Sequence, residues 1–497
     1  MRFAHKEARQ GNAGIELLAM RALPDKTYWT ACFLLALLLT FSSPVVGSVA
    51  AAVNLCASNA EPDSAQQAAP NSQQSEELPR PYDVLKKGLD SNNYLAPLLE
   101  LKAHETQYLA SESMRGAFLE FIIQLSADVG DYAEAYSYED KLLSSFPGVA
   151  RMRALYAKEL TTSPVDNYRP RNAVEAIASI AGKRQVVMIN EEHRTPVHRA
   201  LTLQLLPALY AKGFRYFAAE TLYATDTELS KRGYPTQKTG FYTADPVYAD
   251  VIRTALKLGY KVVPYEWEGD CTPKADNPAS CEDERERGQA QNLVDRILKQ
   301  DPQAKIFVHV GRSHNTKFKD GEKFAFMGWY FREISKIDPF VIDQVRMSER
   351  RNPADEHPLY RYLTRQGLMT EPTVFQSPKG DLWTDDEIIA DVRVFQPKAR
   401  YLNGRPTWLQ MGGLRRAHAL DLKKLGLTAK DGLFKGQKPL LVQAFVGGEG
   451  ADAIPIDQFV LYPSKQIPVL MLPKETFQIK AVDESGTIIG HYKLTTR

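Results

Sequence analysis

Through the middle of the chain, short apolar runs alternate with longer stretches of helical spacing. The runs are "RQVVMIN" (Arg184–Asn190), "FRYFAAE" (Phe214–Glu220), "YKVVPYE" (Tyr260–Glu266), "AKIFVHV" (Ala304–Val310) and "FVIDQVRM" (Phe340–Met347). Between them lie "VHRALTLQLLPALYAKG", Asp245–Leu258, Glu282–Lys299 and "FAFMGWYFREISK", each with apolar residues recurring at helical period. Strands alternating with helices predict an α/β unit over residues 171–372. Its sheet is expected to be mostly parallel, with right-handed crossovers and helices on both faces.

The pattern differs on either side. Asp83 to Leu160 has helical spacing, with two apolar-periodic segments split by Gly130-Asp131, and predicts a helical block over 82–170. The Gly-Asp-Tyr and the spaced alanines after it are similar to the inter-helix turn of tetratricopeptide repeats; a plain helical bundle fits equally well. Beyond Thr373, runs such as "PLLVQAFVGG", "DQFVLYPS" and "TFQIKAVDESGTIIGHYKL" alternate or stay apolar between Gly, Pro and Asp, and "DESG" is a hairpin signal. A small antiparallel, sandwich-like β domain is expected over 373–497.

The first 81 residues follow neither grammar. Lys26 precedes the uncharged run Trp29–Phe41, then small residues lead to Ser48-Val49-Ala50. That order predicts a signal peptide over 1–50, with Met20 a possible start and a mature chain beginning near Ala51. The apolar run is short for a membrane span, although residues 29–50 retained as an anchor are the alternative. Residues 51–81 are Gln-, Ser-, Ala- and Pro-rich and read as a disordered linker. Export, to the periplasm in this reading, permits disulfides. Cys271 and Cys281 bracket a Pro/Asn/Asp-rich loop and are expected to be bridged. With 62 basic and 60 acidic residues and no basic block, nothing points to nucleic acid. A small-molecule or peptide substrate is expected, and the helical block or the β domain is a candidate surface for a protein partner.

Candidate chemistry gathers at the carboxyl ends of the predicted strands, where open parallel sheets bind ligands. Glu191, Glu192, His193 and His198 follow the first, Glu220 ends the second, Glu266 and Glu268 the third, and His309 and His314 the fourth. Glu192, opposite in pleat to Glu191 and His193, is expected in solvent. His198 suits an exposed helix face as well as a site. His309, inside an apolar run, is expected to be a hydrogen-bonded core residue, and Glu268 to be loop. Glu191, His193, Glu220 and His314 are harder to explain structurally, because a carboxylate closing a buried strand needs a partner.

The stretch "INEEHRTPVHRALTLQLLPALYAKGFRYFAAE" resembles the opening motif of the erythromycin-esterase-like superfamily, which includes ChaN-type haem-iron-binding proteins and the Tiki/TraB metalloprotease-like group. Their pattern is a strand ending in Gly-Glu-x-His, an amphipathic helix and a second strand ending in Glu. An Arg on a later helix follows, matched here by Arg285, then Gly-x-x-His, matched by Gly311–His314. The resemblance covers Val186 to Met347. Asn190 stands where the family has Gly, with a left-handed turn as the expected accommodation, and Gln289 replaces an apolar residue.

The resemblance implies three readings. In a hydrolase, His193 is the general base, oriented by Glu191 or Glu220, and Arg285 and His314 stabilise an oxyanion. In a metalloenzyme, Glu191, His193, Glu220 and His314 hold a divalent metal such as Zn, Mn or Fe. In a ChaN-type binder, His198 or His193 contacts haem iron without turnover. A scaffold with a decayed site is the remaining alternative.

Overall fold

A computed structural model describes residues 78–497 apart from 92, 275, 322 and 432. The expected signal peptide, and residues 51–77 of the expected linker, lie outside the described residues. Six helices come first: α1 (Pro81–Ser91), α2 (Leu95–Ala103), α3 (Glu105–Ala110), α4 (Arg115–Asp128), α5 (Tyr132–Ser145) and α6 (Val149–Tyr156). No helix among the described residues is long and apolar enough to cross a membrane.

An eight-stranded sheet follows: β1 (Arg169–Asn172), β2 (Val186–Glu191), β3 (Tyr216–Ala219), β4 (Lys261–Pro264), β5 (Ile306–Gly311), β6 (Phe340–Met347), β7 (Thr373–Gln376) and β8 (Val392–Phe395), in spatial order β1-β7-β8-β6-β2-β5-β3-β4. The neighbours from β8 to β4 pair in parallel, and β7 runs antiparallel to β1 and β8 at the edge. Interleaved are α7 (Ala173–Ala181), α8 (Val197–Tyr210), α9 (Pro246–Leu258), α10 (Ser280–Leu293), α11 (Met327–Ser335) and α12 (Pro358–Arg365).

The central strands are apolar on both faces because helices cover both. Val187, Ile189, Phe217 and Phe307 pack with α7, α8 and α9. Their neighbours Val186, Met188, Ala218, Ile306 and Val308 point to the other side, against Ala290 and Leu293 of α10 and Met327 and Phe331 of α11. Such two-sided burial produces continuous apolar runs rather than alternation. Helix α9 carries its own boundary signals: Asp245 caps the Tyr248 amide at 2.7 Å, Pro246 opens the first turn, and Gly259 closes the helix in the left-handed conformation. The helix expected through Lys299 is α to Leu293 and continues as a π-turn over Val294–Leu298.

The antiparallel unit begins later than the alternation implied. The segments at Thr373–Gln376 and Val392–Phe395 complete the main sheet. The later strands are β9 (Arg416–Ala419), β10 (Leu440–Val446), β11 (Asp457–Leu461), β12 (Val469–Leu472), β13 (Thr476–Val482) and β14 (Ile488–Thr495), two-residue strands aside. They form a four-stranded sheet, β11-β10-β13-β14, and a β9-β12 pair. The helical block packs its core, including Leu98, Phe118, Ile122 and Leu125, against Leu441, Val460 and Val482 of that sheet. Gly130, at the α4–α5 turn with φ +73°, is where the two meet. A Cβ there would clash with the Gln458 carbonyl and stand 2.6 Å from Arg405 Nη1.

Candidate active site

Strand β2 delivers Glu191 to the carboxyl edge of the sheet beside Gly311, its register partner on β5. Glu191 is 1% exposed, so its charge needs partners. Arg199 of α8 supplies most of them, donating from Nε to Oε2 at 2.6 Å and from Nη2 to Oε1 at 2.8 Å. His193 Nδ1 sits 2.8 Å from Oε1, and His309 Nε2 lies 2.9 Å from Oε2 without hydrogen-bond alignment. Burial opposes the Glu191 charge. Arg199 and His309, with the hydrogen bonds from Arg199 and His193, outweigh it and hold the carboxyl well below the usual range.

His193 keeps a side chain 21% exposed. Its ring stacks on Tyr242 with centroids 4.2 Å apart and planes 17° apart. With Nδ1 on a carboxylate, Nε2 is the outward nitrogen, and it faces Gly311. A Cβ on Gly311 would clash with His193 Nε2 and stand 3.0 Å from Glu220 Oε2. The bare glycine therefore lets the imidazole of one strand end and the carboxylate of another face one spot.

Glu220, just past β3, is 3% exposed. It accepts from the Gly311 amide and from Arg285 Nη2 at 2.9 Å, and His314 Nε2 is 3.7 Å away. Burial raises its carboxyl, but His314, Arg285 and His193 together bring it down to about 2. Arg285, on α10, also forks onto Glu266 at 3.0 and 2.9 Å. Gln289, the departure from the family's apolar residue, donates to the same Glu266 at 2.9 Å. His314 Nδ1 is bonded to Glu286, the residue after Arg285. Burial lowers this imidazole; Glu286 and Glu220 outweigh it and raise it above its ordinary value. The crevice thus has two histidine–glutamate pairs, Glu191–His193 and Glu286–His314, on either side of Glu220 and Arg285.

The structure brings Glu191, His193, Glu220, Arg285 and His314 together and places His198 elsewhere. His198 is fully buried. Its Nδ1 accepts the Glu192 amide at 3.0 Å and its Nε2 meets Ser348 Oγ at 3.1 Å. Burial pushes it down to about 4, and neither ring nitrogen is left to reach haem iron. Glu192, expected in solvent, is 5% exposed and sits among Arg312, Arg194 and Arg350. Against its burial these arginines lower its carboxyl to about 2. Asn190 does not make a left-handed turn; it stays in β2, accepts the Gln344 amide at 3.0 Å and donates to the Arg312 carbonyl at 2.7 Å. His309 is buried as expected, with Nδ1 3.1 Å from Thr202 Oγ1, and also touches Glu191.

The donor set does not fit a metal ion. Both Glu191 oxygens and Glu220 Oε1 are engaged by guanidinium groups, which repel a cation. Among the described residues, no three His, Cys, Asp or Glu side chains converge in a metal-binding arrangement.

Sequence reading missed Arg199, Glu286, Asp245 and Tyr242. Arg199 adjoins His198 on the helix, and only side-chain direction separates the one facing Glu191 from the one facing Ser348. Glu286 was within reach, as an acid beside the family-matched Arg285. Asp245 is readable as a helix cap, and its 3.2 Å contact with Arg199 Nη1 is not.

Fold and cluster together define an α/β protein with a buried Glu–His–Arg centre at the carboxyl edge of a parallel sheet. No known protein-family model matches the chain, and no curated protein does. Solved structures that it resembles include the type III effector HopBA1 (18% identity, 39% of this chain and 95% of that one, TM-score 0.26). Another is RRSP, a MARTX toxin effector domain from Vibrio vulnificus (14% identity, 57% and 67%, TM-score 0.27). A third is the C-terminal region of Pasteurella multocida toxin, whose structures reveal a thiol-protease-like catalytic triad (11% identity, 74% and 52%, TM-score 0.26).

Proposed function

We propose that the chain is an exported, metal-free hydrolase of the erythromycin-esterase-like type, acting on an ester or peptide. The observation that carries the reading is the Glu191–His193 pair, whose free Nε2 looks across Gly311 toward Glu220, Arg285 and His314. Glu191 holds Nδ1, so Nε2 takes the proton from an attacking water as hydroxide adds to the substrate carbonyl, and returns it to the alcohol or amine that leaves as the tetrahedral adduct collapses and the scissile bond breaks. The opposite wall carries Arg285 and the raised, readily protonated His314, which face the developing oxyanion. The Cys271–Cys281 disulfide supports an oxidising compartment. A tetratricopeptide-like role for α1–α6 in binding a protein partner belongs to the same reading.

The test is a panel of ester and peptide substrates with the purified chain and His193→Ala. Losing a general base lowers the rate about 10²–10⁴-fold. Hydrolysis that survives His193→Ala, or that a chelator abolishes, overturns the reading.

A further inference from the structure

The hydrolytic scheme leaves a buried cation at the centre unused. Arg199 is fully buried, and its guanidinium touches much of what fixes His193. Nε and Nη2 grip both oxygens of Glu191, the acceptor for His193 Nδ1. Nη2 also donates to the His193 backbone carbonyl at 2.7 Å. The guanidinium carbon lies 4.8 Å from the Tyr248 ring and 5.6 Å from the Tyr242 ring, the one stacked on His193. Tyr248 in turn donates to the Glu220 carbonyl at 2.8 Å. On its far side, Nη1 stands 3.2 Å from Asp245, itself fully buried at the head of α9. One planar cation thus references the carboxylate, the backbone and the stacked ring around a single imidazole.

From this geometry we infer that Arg199, braced by Asp245, is the positioning residue that keeps His193 in the tautomer with Nδ1 protonated and Nε2 bare. The inference rests on the proposed role of His193 in its consequence for turnover, but the tautomer itself can be read without any substrate. Arg199 touches no reacting atom. It acts by denying Glu191 any rotation that would release Nδ1. Lysine cannot replace it, because an ammonium is a point charge and cannot span two carboxylate oxygens, a carbonyl and a second acid. Burial makes the arrangement rigid: Glu191, Arg199 and Asp245 have no water to fall back on.

The experiment uses the full purified chain with ¹⁵N-labelled histidine, in wild type, Arg199→Lys and Asp245→Asn. His193 is assigned by loss of its signals in His193→Asn. Nitrogen shifts report which ring nitrogen carries the proton, and modification by diethylpyrocarbonate, followed by peptide mass spectrometry, reports access to a bare Nε2. Wild type should show one tautomer. Arg199→Lys should show an average of two, with His193 modification slowed several-fold. Asp245→Asn keeps the helix cap and should shift the tautomer in the same direction by less; it decides the matter if Arg199→Lys does not fold. A single, unchanged tautomer and an unchanged modification rate in the folded variants overturn the inference. The ester panel separates this failure from that of the hydrolase reading. Tautomer mixing with hydrolysis indifferent to His193→Ala leaves the positioning and removes the function. Hydrolysis that depends on His193 with no mixing does the reverse.

Discussion

Gly311 and His198 show how finely single residues set this site. Gly311→Ala puts a methyl group where His193 Nε2 and Glu220 converge. Overpacking of this kind costs about 1–3 kcal/mol, and the softest neighbour is the partly exposed imidazole. The variant should therefore stay folded while hydrolysis falls nearly as far as in His193→Ala, as paired melting and rate measurements would show. His198 has the opposite character, a buried imidazole kept neutral. The unfolded chain takes up its proton near pH 6.5, and the folded chain refuses it until about 4, so stability falls as pH drops through that window. The full difference is about 3 kcal/mol. His198→Asn retains an acceptor for the Glu192 amide and should flatten the acid limb, seen as a smaller drop in urea midpoint between about pH 7 and about pH 4.5. His314 adds an alkaline limb, since its folded-state value is raised. Its contribution is complete below pH 6.5 and fades as pH rises through that higher value. Residue types at strand ends were legible in the sequence. Their directions were not, because helical residues one position apart face different neighbours, as His198 and Arg199 do.

At the scale of elements, the strand–helix alternation was readable because burial on both sheet faces leaves short apolar runs between amphipathic helices. The edge of the sheet was not. Thr373–Gln376 and Val392–Phe395 are four-residue runs with no helix between them, so they read as the start of the antiparallel unit; only pairing with β1 and β6 puts them in the main sheet. The disulfide was legible from the export signal and the Pro/Asn/Asp-rich loop that its cysteines bracket, and its position gives it a consequence. Cys271 follows the segment beyond β4 that carries Glu266 and Trp267, and Cys281 lies in the first turn of α10, which carries Arg285 and Glu286. Closing so short a loop stabilises by about 2–3 kcal/mol in the chain-entropy model. Trp267 packs over Gly288 of the same helix, so the bridge pins a site wall. Cys271→Ser with Cys281→Ser should lower the melting temperature by several degrees and reduce hydrolysis by a larger factor than that destabilisation explains. Activity unchanged well below the transition, despite a lower melting temperature, would reduce the disulfide to a plain staple.

At the scale of the whole molecule, the helical block, the α/β unit and the β domain are tied to one another by buried ion pairs and hydrogen bonds. Arg405, 1% exposed, donates from Nη1 to the Gly130 carbonyl of the α4–α5 turn and to the Gln458 carbonyl of β11, both at 3.0 Å, and it is paired with Asp457. Gln458 reaches back to the Asp128 carbonyl at 2.5 Å. On the opposite flank, Arg253 of α9 forks onto Glu449 at 2.7 and 2.8 Å, and Arg415 is paired with Asp250. The helical block also reaches the crevice, through Glu120 on Arg194, next to His193, and Glu139 on Arg350 at 3.0 Å. Composition and periodicity mark the segments, but buried arginines bridging residues hundreds of positions apart leave no local signal. The expected consequence is cooperative unfolding: far-UV circular dichroism and tryptophan fluorescence should trace one coincident urea transition. Arg405→Ala strands a buried carboxylate and two carbonyls at once. Breaking such a pair costs about 3–5 kcal/mol, so the transition should move to markedly lower urea. Because the cation joins α4–α5 to β11, the two probes should also separate, with the helical signal lost first. A variant whose probes stay coincident and whose midpoint barely moves would mean that the apolar contacts of Leu441, Val460 and Val482 with the helices hold the units together without this arginine.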